Sequence, residues 1–217
     1  MKVAVLSSSP RRGGNSELLA EAFAEGVRSL GNEAELIRLA DHVEYVLREC
    51  DECRRDDGSC SIPDRYLEAL EATMTADAIG IATPLWWYGM AGTLKSFLDR
   101  TFCYISEPYP EHERVIAGLS GKRIALLIAS EEAYPGGRIG LTQQTQELAR
   151  YMHWELVGVV HGIGNSRGEV TRDPAAPLDA ARELGRRLFE LRSTDYRIDT
   201  ERPDAVWGDR SDDAVES

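Results

Sequence analysis

The chain has 217 residues, 42% of them hydrophobic, which suits one compact domain with a substantial core. Its formal net charge of −12 excludes the broad basic face that nucleic-acid binding needs, although part of that charge gathers in the last stretch from Asp195 onward. No apolar run is long enough to span a membrane, and the opening MKVAVLSSSPRRGGNS is too briefly apolar for a secretion signal, so a cytoplasmic protein is expected.

Residues 2–6 form a short apolar run that reads as a buried parallel strand. A loop over 7–15 follows. Then comes a helix whose Leu19, Ala22, Phe23, Gly26, Val27 and Leu30 fall on one face, with Gly31 placed to stop it. Residues 33–39 supply a second strand. Residues 43–63 carry Cys50, Cys53, Cys60 and the charged run 54–57, and read as an excursion from the core. Ser61 and Asp64 have the spacing of a helix cap, and Tyr66, Leu67, Leu70 and Met74 give that helix an inner face.

Residues 77–83 are the third strand. A loop over 84–92 leads to a helix expected to bury Leu94, Phe97, Leu98 and Phe102, with Lys95 and Asp99 spaced as an ion pair. Proline and charge make 104–118 read as mostly loop. Residues 122–129 form the fourth strand and 130–140 another loop. Residues 142–153 read as a helix with Leu148, Tyr151 and Met152 inward, 156–160 as the fifth strand and 178–191 as the last helix.

This alternation predicts an α/β fold, a doubly wound five-stranded parallel sheet in three α/β/α layers. One domain is expected over 1–192, with an acidic tail or arm over 193–217. Ligands of such sheets sit at the carboxyl ends of the strands, so the loops after strands one, three and four form the candidate site.

The first of these joins Ser7, Ser8, Ser9 and Ser16 with Arg11, Arg12, Gly13 and Gly14 at a helix start, which makes a phosphate cradle. It lacks the Gly-Lys-Ser/Thr of a P-loop and the G-x-G-x-x-G of a dinucleotide site. It suits one terminal monophosphate such as that of flavin mononucleotide (FMN); a solvated turn capped by Asn15 or Ser16 is the plainer alternative. In the second loop, Trp86, Trp87 and Tyr88 cannot all face a core. They can wall a flat ring while the backbone meets its edge, or fill a dimer contact. The third loop offers Ser130 and Tyr134 to close the pocket, with Glu131 and Glu132 awkward beside an anionic ring.

Ser9-Pro10-Arg11-Arg12-Gly13-Gly14-Asn15-Ser16, Asp77-Ala78-Ile79 leading to Thr83-Pro84-Leu85-Trp86-Trp87-Tyr88-Gly89, and Lys95-Ser96-Phe97-Leu98-Asp99-Arg100 together resemble the NADPH-dependent FMN reductase family of flavodoxin-like proteins. The resemblance covers roughly 2–191 and leans toward the branch of iron–sulfur flavoproteins and WrbA-like multimeric flavodoxins. It implies that Ser9, Arg11, Asn15 and Ser16 hold the FMN phosphate. It also implies that Pro84, Leu85, Trp86, Trp87, Tyr88 and Gly89 line the ring, with Ser130 and Tyr134 beside them by position. It implies NADPH or NADH as donor, a flavin, quinone or similar small acceptor, and a homodimer or homotetramer. No catalytic side chain is expected, because the flavin carries the hydride chemistry. Two rivals are an electron-transfer flavodoxin fed by a protein donor and a flavin-free binding protein of the same fold.

The iron–sulfur branch looks like C-x2-C-x2-C followed by a fourth cysteine. Cys50, Cys53 and Cys60 match the later three, and the first position falls on Leu47. A four-iron cluster uses four thiolates and a structural zinc four ligands, so an iron–sulfur cluster is not expected and no metal ligand is assigned. A water-completed metal site, a Cys50–Cys53 redox pair and a loop kept only as structure stay open, and His42 stands upstream without a motif. Cys103 reads as a core residue, and His153 and His161 as ordinary polar residues.

Overall fold

In the computed structural model, which describes residues 1–191, five strands pair as one parallel sheet in the order β2-β1-β3-β4-β5. The strands are β1 (Lys2–Ser7), β2 (Glu33–Arg38), β3 (Ala78–Pro84), β4 (Arg123–Ser130) and β5 (Glu155–Ile163). The helices are α1 (Asn15–Arg28), α2 (Tyr66–Met74), α3 (Gly92–Ile105), α4 (His112–Leu119), α5 (Ile139–Tyr151) and α6 (Pro177–Arg186). The expected tail over 193–217 lies outside the described residues. No helix among those described is long and apolar enough to cross a membrane.

Side chains of a strand alternate between its two faces, and here both faces are apolar. Ala4, Leu6, Ile79, Ile81, Ile124, Leu126 and Ile128 join one core with residues of α2, α3, α4 and α5. Val3, Val5, Ala78, Ala82, Ala125 and Leu127 join the other with α1 and α6. These are the three layers expected. The two outer helices on the second face cross at very short range. A Cβ on Gly26 would lie 2.0 Å from the Arg182 carbonyl oxygen, and one on Gly185 would lie 2.2 Å from that of Phe23. Strand order reverses between β1 and β3, so a crevice opens above their carboxyl ends.

Several sequence expectations are corrected. Residues 104–118 are not mostly loop: α4 occupies His112–Leu119, and its charges hide a short stripe in which Val115 and Leu119 are buried. Leu30 lies past the end of α1 and is exposed, as are Leu67 on α2, Phe102 on α3 and Tyr151 on α5. The last helix ends at Arg186, although Leu188 is still buried. Lys95 and Asp99 do pair, at 2.5 Å.

The helix expected to start at Ser61 begins at Tyr66 instead and has no side-chain cap. Asp64 is taken up by a longer-range contact. Its carboxylate accepts from Arg100 of α3 at 2.5 and 2.9 Å and from the Glu44 N–H at 3.1 Å. The two side chains are 1% and 3% exposed, and the guanidinium sits 4.1 Å above the Tyr66 ring. Burial alone would raise the Asp64 pKa, but the bonds and charge of Arg100 outweigh it and hold the carboxyl below its ordinary range. This buried pair fastens the excursion over 43–63 to the helix that follows the aromatic loop.

Candidate functional site

The carboxyl ends of the strands enclose a cleft of about 230 Å³. The loop after β1 contributes Ser9, Arg11, Gly14, Asn15 and Ser16; β3 and its loop contribute Pro84, Leu85 and Trp86. Ser130 and Glu131 come from the end of β4, and Gly164, Asn165 and Arg167 from the loop after β5.

The first loop presents hydrogen-bond donors. Gly14 caps α1 without a side chain, and the N–H groups of Asn15, Ser16 and Glu17 find no partner among the described residues. Ser16 is 2% exposed, lines the cleft, and its hydroxyl also makes no hydrogen bond there. Ser9 Oγ accepts from the Arg11 N–H at 3.2 Å, which leaves its own proton to give. Arg12 is drawn away to Asp41 at 2.9 Å, whereas the Arg11 guanidinium has no partner among the described residues. From beneath, Glu17 holds the loop: its Oε2 accepts from the Gly13 N–H at 2.5 Å, and the carboxylate pairs with Arg38. Arg38 arrives there because it is the register partner of Ser7 at the end of β1. A dipole end, free N–H groups, hydroxyls and a guanidinium fit a terminal phosphate.

In the second loop Trp86 and Gly89 exchange N–H···O bonds, each 3.1 Å. The two residues between them, Trp87 at φ 50° and Tyr88 at φ 62°, are both left-handed. This is the pattern of a type I′ turn, where Asn and Gly are usual and bulky side chains are uncommon. The turn lifts Trp87 to 97% exposure. Trp86 lines the cleft, while Trp87, Tyr88 and Gly89 stand outside its lining. The Tyr88 ring lies beside Gly137, and its hydroxyl is 3.4 Å from Glu132. Thr83 closes the base of the loop, accepting from the Ala91 N–H and donating to the Pro84 carbonyl, both at 3.1 Å.

At the end of β4, Ser130 Oγ donates to the Glu132 carbonyl at 2.8 Å and lies 2.6 Å from His161 Nε2. A Ser130 hydroxyl that donates to the Glu132 carbonyl accepts from the histidine, whose hydrogen then sits on Nε2. Burial, reinforced by the charge of Arg138, pushes the His161 pKa down and keeps the ring neutral. His161 is therefore a β5 residue that orients Ser130 rather than an unengaged polar residue. Tyr134 is exposed, folded over Gly136, and outside the cleft lining.

Asn15 plays a different part from the one expected. Its Nδ2 donates to the carbonyls of Gly164 at 2.7 Å and Ser166 at 3.0 Å, and its Oδ1 accepts from the Val170 N–H at 3.2 Å. The amide is fully used in tying the first loop to the loop after β5. That last loop's Asn165 and Arg167 were not singled out in the sequence, nor was Glu17. The only available signal was that the loop follows a strand whose end faces the same side of the sheet.

All four cysteines meet away from this cleft. Cys50, Cys53, Cys60 and Cys103 line a small cavity of about 20 Å³ between the excursion and α3, with Arg100 and Tyr104. Cys103 packs against the core as expected and also lines this cavity with the other three cysteines. Burial pushes the Cys53 and Cys103 thiols up, Cys103 to about 11, which keeps them protonated near neutral pH. Among the described residues no group of three or more His, Cys, Asp or Glu side chains is arranged to hold a metal ion. His42 is engaged elsewhere, with Nδ1 2.9 Å from the Arg38 carbonyl. A third cavity, about 420 Å³ and mainly apolar, runs between α3 and α5 past Leu98, Phe102, Leu148, Tyr151 and Trp154.

Comparison with known proteins gives a consistent pattern. The family model described as NADPH-dependent FMN reductase matches residues 1–165. An iron–sulfur flavoprotein of Archaeoglobus fulgidus is 31% identical over 196 residues, covering 88% of this chain and 95% of the relative. YwqN of Bacillus subtilis, which carries the name of an NAD(P)H-dependent FMN-containing oxidoreductase, is 30% identical over 188 residues, or 86% of this chain and 98% of the relative. Among solved structures, an NAD(P)H:quinone oxidoreductase from Methanothermobacter marburgensis superposes with a TM-score of 0.59 at 18% identity, covering 89% of this chain and 98% of the other.

Proposed function

This chain belongs to the NADPH-dependent FMN reductase family, and from that membership we propose that FMN is held across the ends of β1, β3 and β4, where it relays electrons from NAD(P)H to a small acceptor such as a quinone or flavin. One observation carries the placement. The free N–H groups of the first turn of α1, the buried and unbonded Ser16 hydroxyl and the unpaired Arg11 guanidinium open onto the same cleft as Pro84, Leu85 and Trp86.

Bound FMN supplies the hydride and electron chemistry itself. The residues of this chain bind and orient. Ser9, Arg11 and Ser16 hold the phosphate, with the α1 N-terminus behind them. Pro84, Leu85 and Trp86 wall the ring, and the type I′ turn keeps Trp87 and Tyr88 at its mouth, where an incoming planar substrate can stack. His161 holds the Ser130 hydroxyl in one orientation at the ring's third side. No side chain in the cleft is assigned a proton-transfer role. The A. fulgidus relative is named for an iron–sulfur group; this chain carries Leu47 at the first position of that branch's cysteine pattern, and no step is assigned to the cysteines.

The cleft is one opening without a separate dinucleotide fingerprint, so donor and acceptor take turns in it. Initial-rate kinetics varying NADPH against a quinone are expected to give parallel double-reciprocal lines. Converging lines would contradict a shared site. Negligible NAD(P)H oxidation with FMN bound would favour a flavodoxin fed by a protein donor.

The same reading sets a second copy of the chain on the apolar groove between α3 and α5, covering Phe102 and Tyr151. Sedimentation of the flavin-loaded protein should give a dimer or tetramer, and Phe102→Glu should dissociate it. A wild-type monomer at micromolar concentration would remove this part of the reading.

A further inference from the structure

We propose that Arg167 is the second guanidinium of the phosphate site and that Asn15 is the residue that positions it, a proposal that rests on the FMN reading above. The family model matches only as far as residue 165, so Arg167 lies beyond the matched segment.

Charge is the first argument. A phosphate monoester carries about two negative charges near neutral pH. Arg11 alone would leave it half compensated, and Glu131 on the cleft wall adds a further negative charge. Most arginines of this acidic chain are engaged with carboxylates or carbonyls, as Arg12, Arg38, Arg100 and Arg123 are. Arg11 and Arg167 both line the cleft, and neither guanidinium has a partner among the described residues. Two arginines and the α1 N-terminus together match a dianion and outweigh Glu131.

Rigidity is the second argument. The loop after β5 is pinned on every side. The Gly164 N–H donates to the Ser130 carbonyl at 2.8 Å, and the Ile163 N–H donates to Asp173 at 2.7 Å. The N–H groups of Asn165 and Ser166 both donate to the Glu169 carboxylate, at 2.9 and 2.7 Å. Asn15 adds its three bonds from the first loop. Gly164 is required for this contact, since a Cβ there would lie 2.7 Å from both Asn15 Nδ2 and the Val170 nitrogen. With these backbone donors taken, what the loop offers the cleft is the side chains of Asn165 and Arg167, of which only Arg167 carries a charge. Asn15 thus acts on the phosphate through Arg167, by fixing the distance between the two loops.

The test compares FMN with riboflavin, which has the same ring and no phosphate. Dissociation constants are measured on the full-length, flavin-stripped protein by quenching of flavin fluorescence. Arg167→Ala should weaken FMN about tenfold to a hundredfold and leave riboflavin within about twofold. Arg167→Lys should fall between. Asn15→Ala should raise the same ratio of FMN to riboflavin dissociation constants but add little to Arg167→Ala, because the two act in series. Thermal midpoints of the Arg167 variants should match wild type, since the side chain is exposed and unpaired. An unchanged ratio in Arg167→Ala, or equal weakening of both flavins, would overturn the role of Arg167. Full additivity of the two substitutions would overturn the positioning role of Asn15. A wild-type protein that binds neither flavin would overturn the FMN reading itself.

Discussion

Replacing Arg100 with methionine is expected to lower stability by about 3–5 kcal/mol at neutral pH. The substitution leaves the Asp64 carboxylate with 1% of its side chain exposed and without its counter-charge, although the N–H groups of Glu44 and Tyr66 still reach it. Such a group must either stay charged in a poor environment or take up a proton. The sign of the pH dependence follows from the wild-type carboxyl, whose pKa is depressed in the folded state. Its contribution is fully present above the unfolded value near 3.9 and is lost as pH falls through the lower folded value. The difference between wild type and variant in urea unfolding should therefore be large at pH 7 and shrink below about pH 4. Pairing Arg100→Met with Asp64→Leu should recover most of the loss, because a buried pair replaced by apolar side chains of similar size is often neutral. A single-variant loss under 1 kcal/mol at pH 7 would mean that the pair is solvated and does not fasten the excursion to α3.

Glu17→Ala is expected to weaken both the fold and the cofactor site. The carboxylate is 1% exposed and carries two contacts, the ion pair with Arg38 and the bond from the Gly13 N–H. Arg38 retains some access to water, so the stability loss should fall near the lower end of the buried-pair range, about 3 kcal/mol. FMN affinity should drop by roughly tenfold, the equivalent of one hydrogen bond, as the loop loses its support from below. Urea unfolding and fluorescence quenching on the same preparation separate the two effects. Lost stability with unchanged FMN affinity would make Glu17 a bond between α1 and β2 with no part in shaping the loop.

What could be read in the sequence follows the physics of each segment. Central parallel strands are continuous apolar runs, which made β1, β3 and β4 plain, while the edge strands β2 and β5 were read from shorter apolar stretches between helices; together they marked the end of the sheet where a ligand sits. Ser9, Arg11, Ser16, Pro84, Leu85, Trp86 and Ser130 were readable as candidate site residues because each lies at or just after the end of a strand, and the structure brings all of them to one cleft. Helix α4 was hidden because its buried face is only Val115 and Leu119 among charges. Asp64 looked like a cap because a cap is the local use of an Asp, and its partner lies in α3. Glu17 drew no notice and Asn15 was read as a cap or phosphate ligand for the same reason. Their sequence positions say helix start, while their bonds run to β2 and to the loop after β5, contacts that only the closed sheet creates. Trp87, Tyr88 and Tyr134 were drawn into the site by their aromatic character, yet the type I′ turn leaves Trp87 and Tyr88 outside its lining and Tyr134 folds over Gly136 instead.

The central claim is best tested by an anaerobic absorbance titration of the full chain, first with FMN and then with NADPH or NADH. The account predicts that FMN binds with a shifted flavin band and that the band bleaches at a catalytic rate when the nicotinamide is added. A band that persists with both nicotinamides, or a protein that never acquires one, would contradict it.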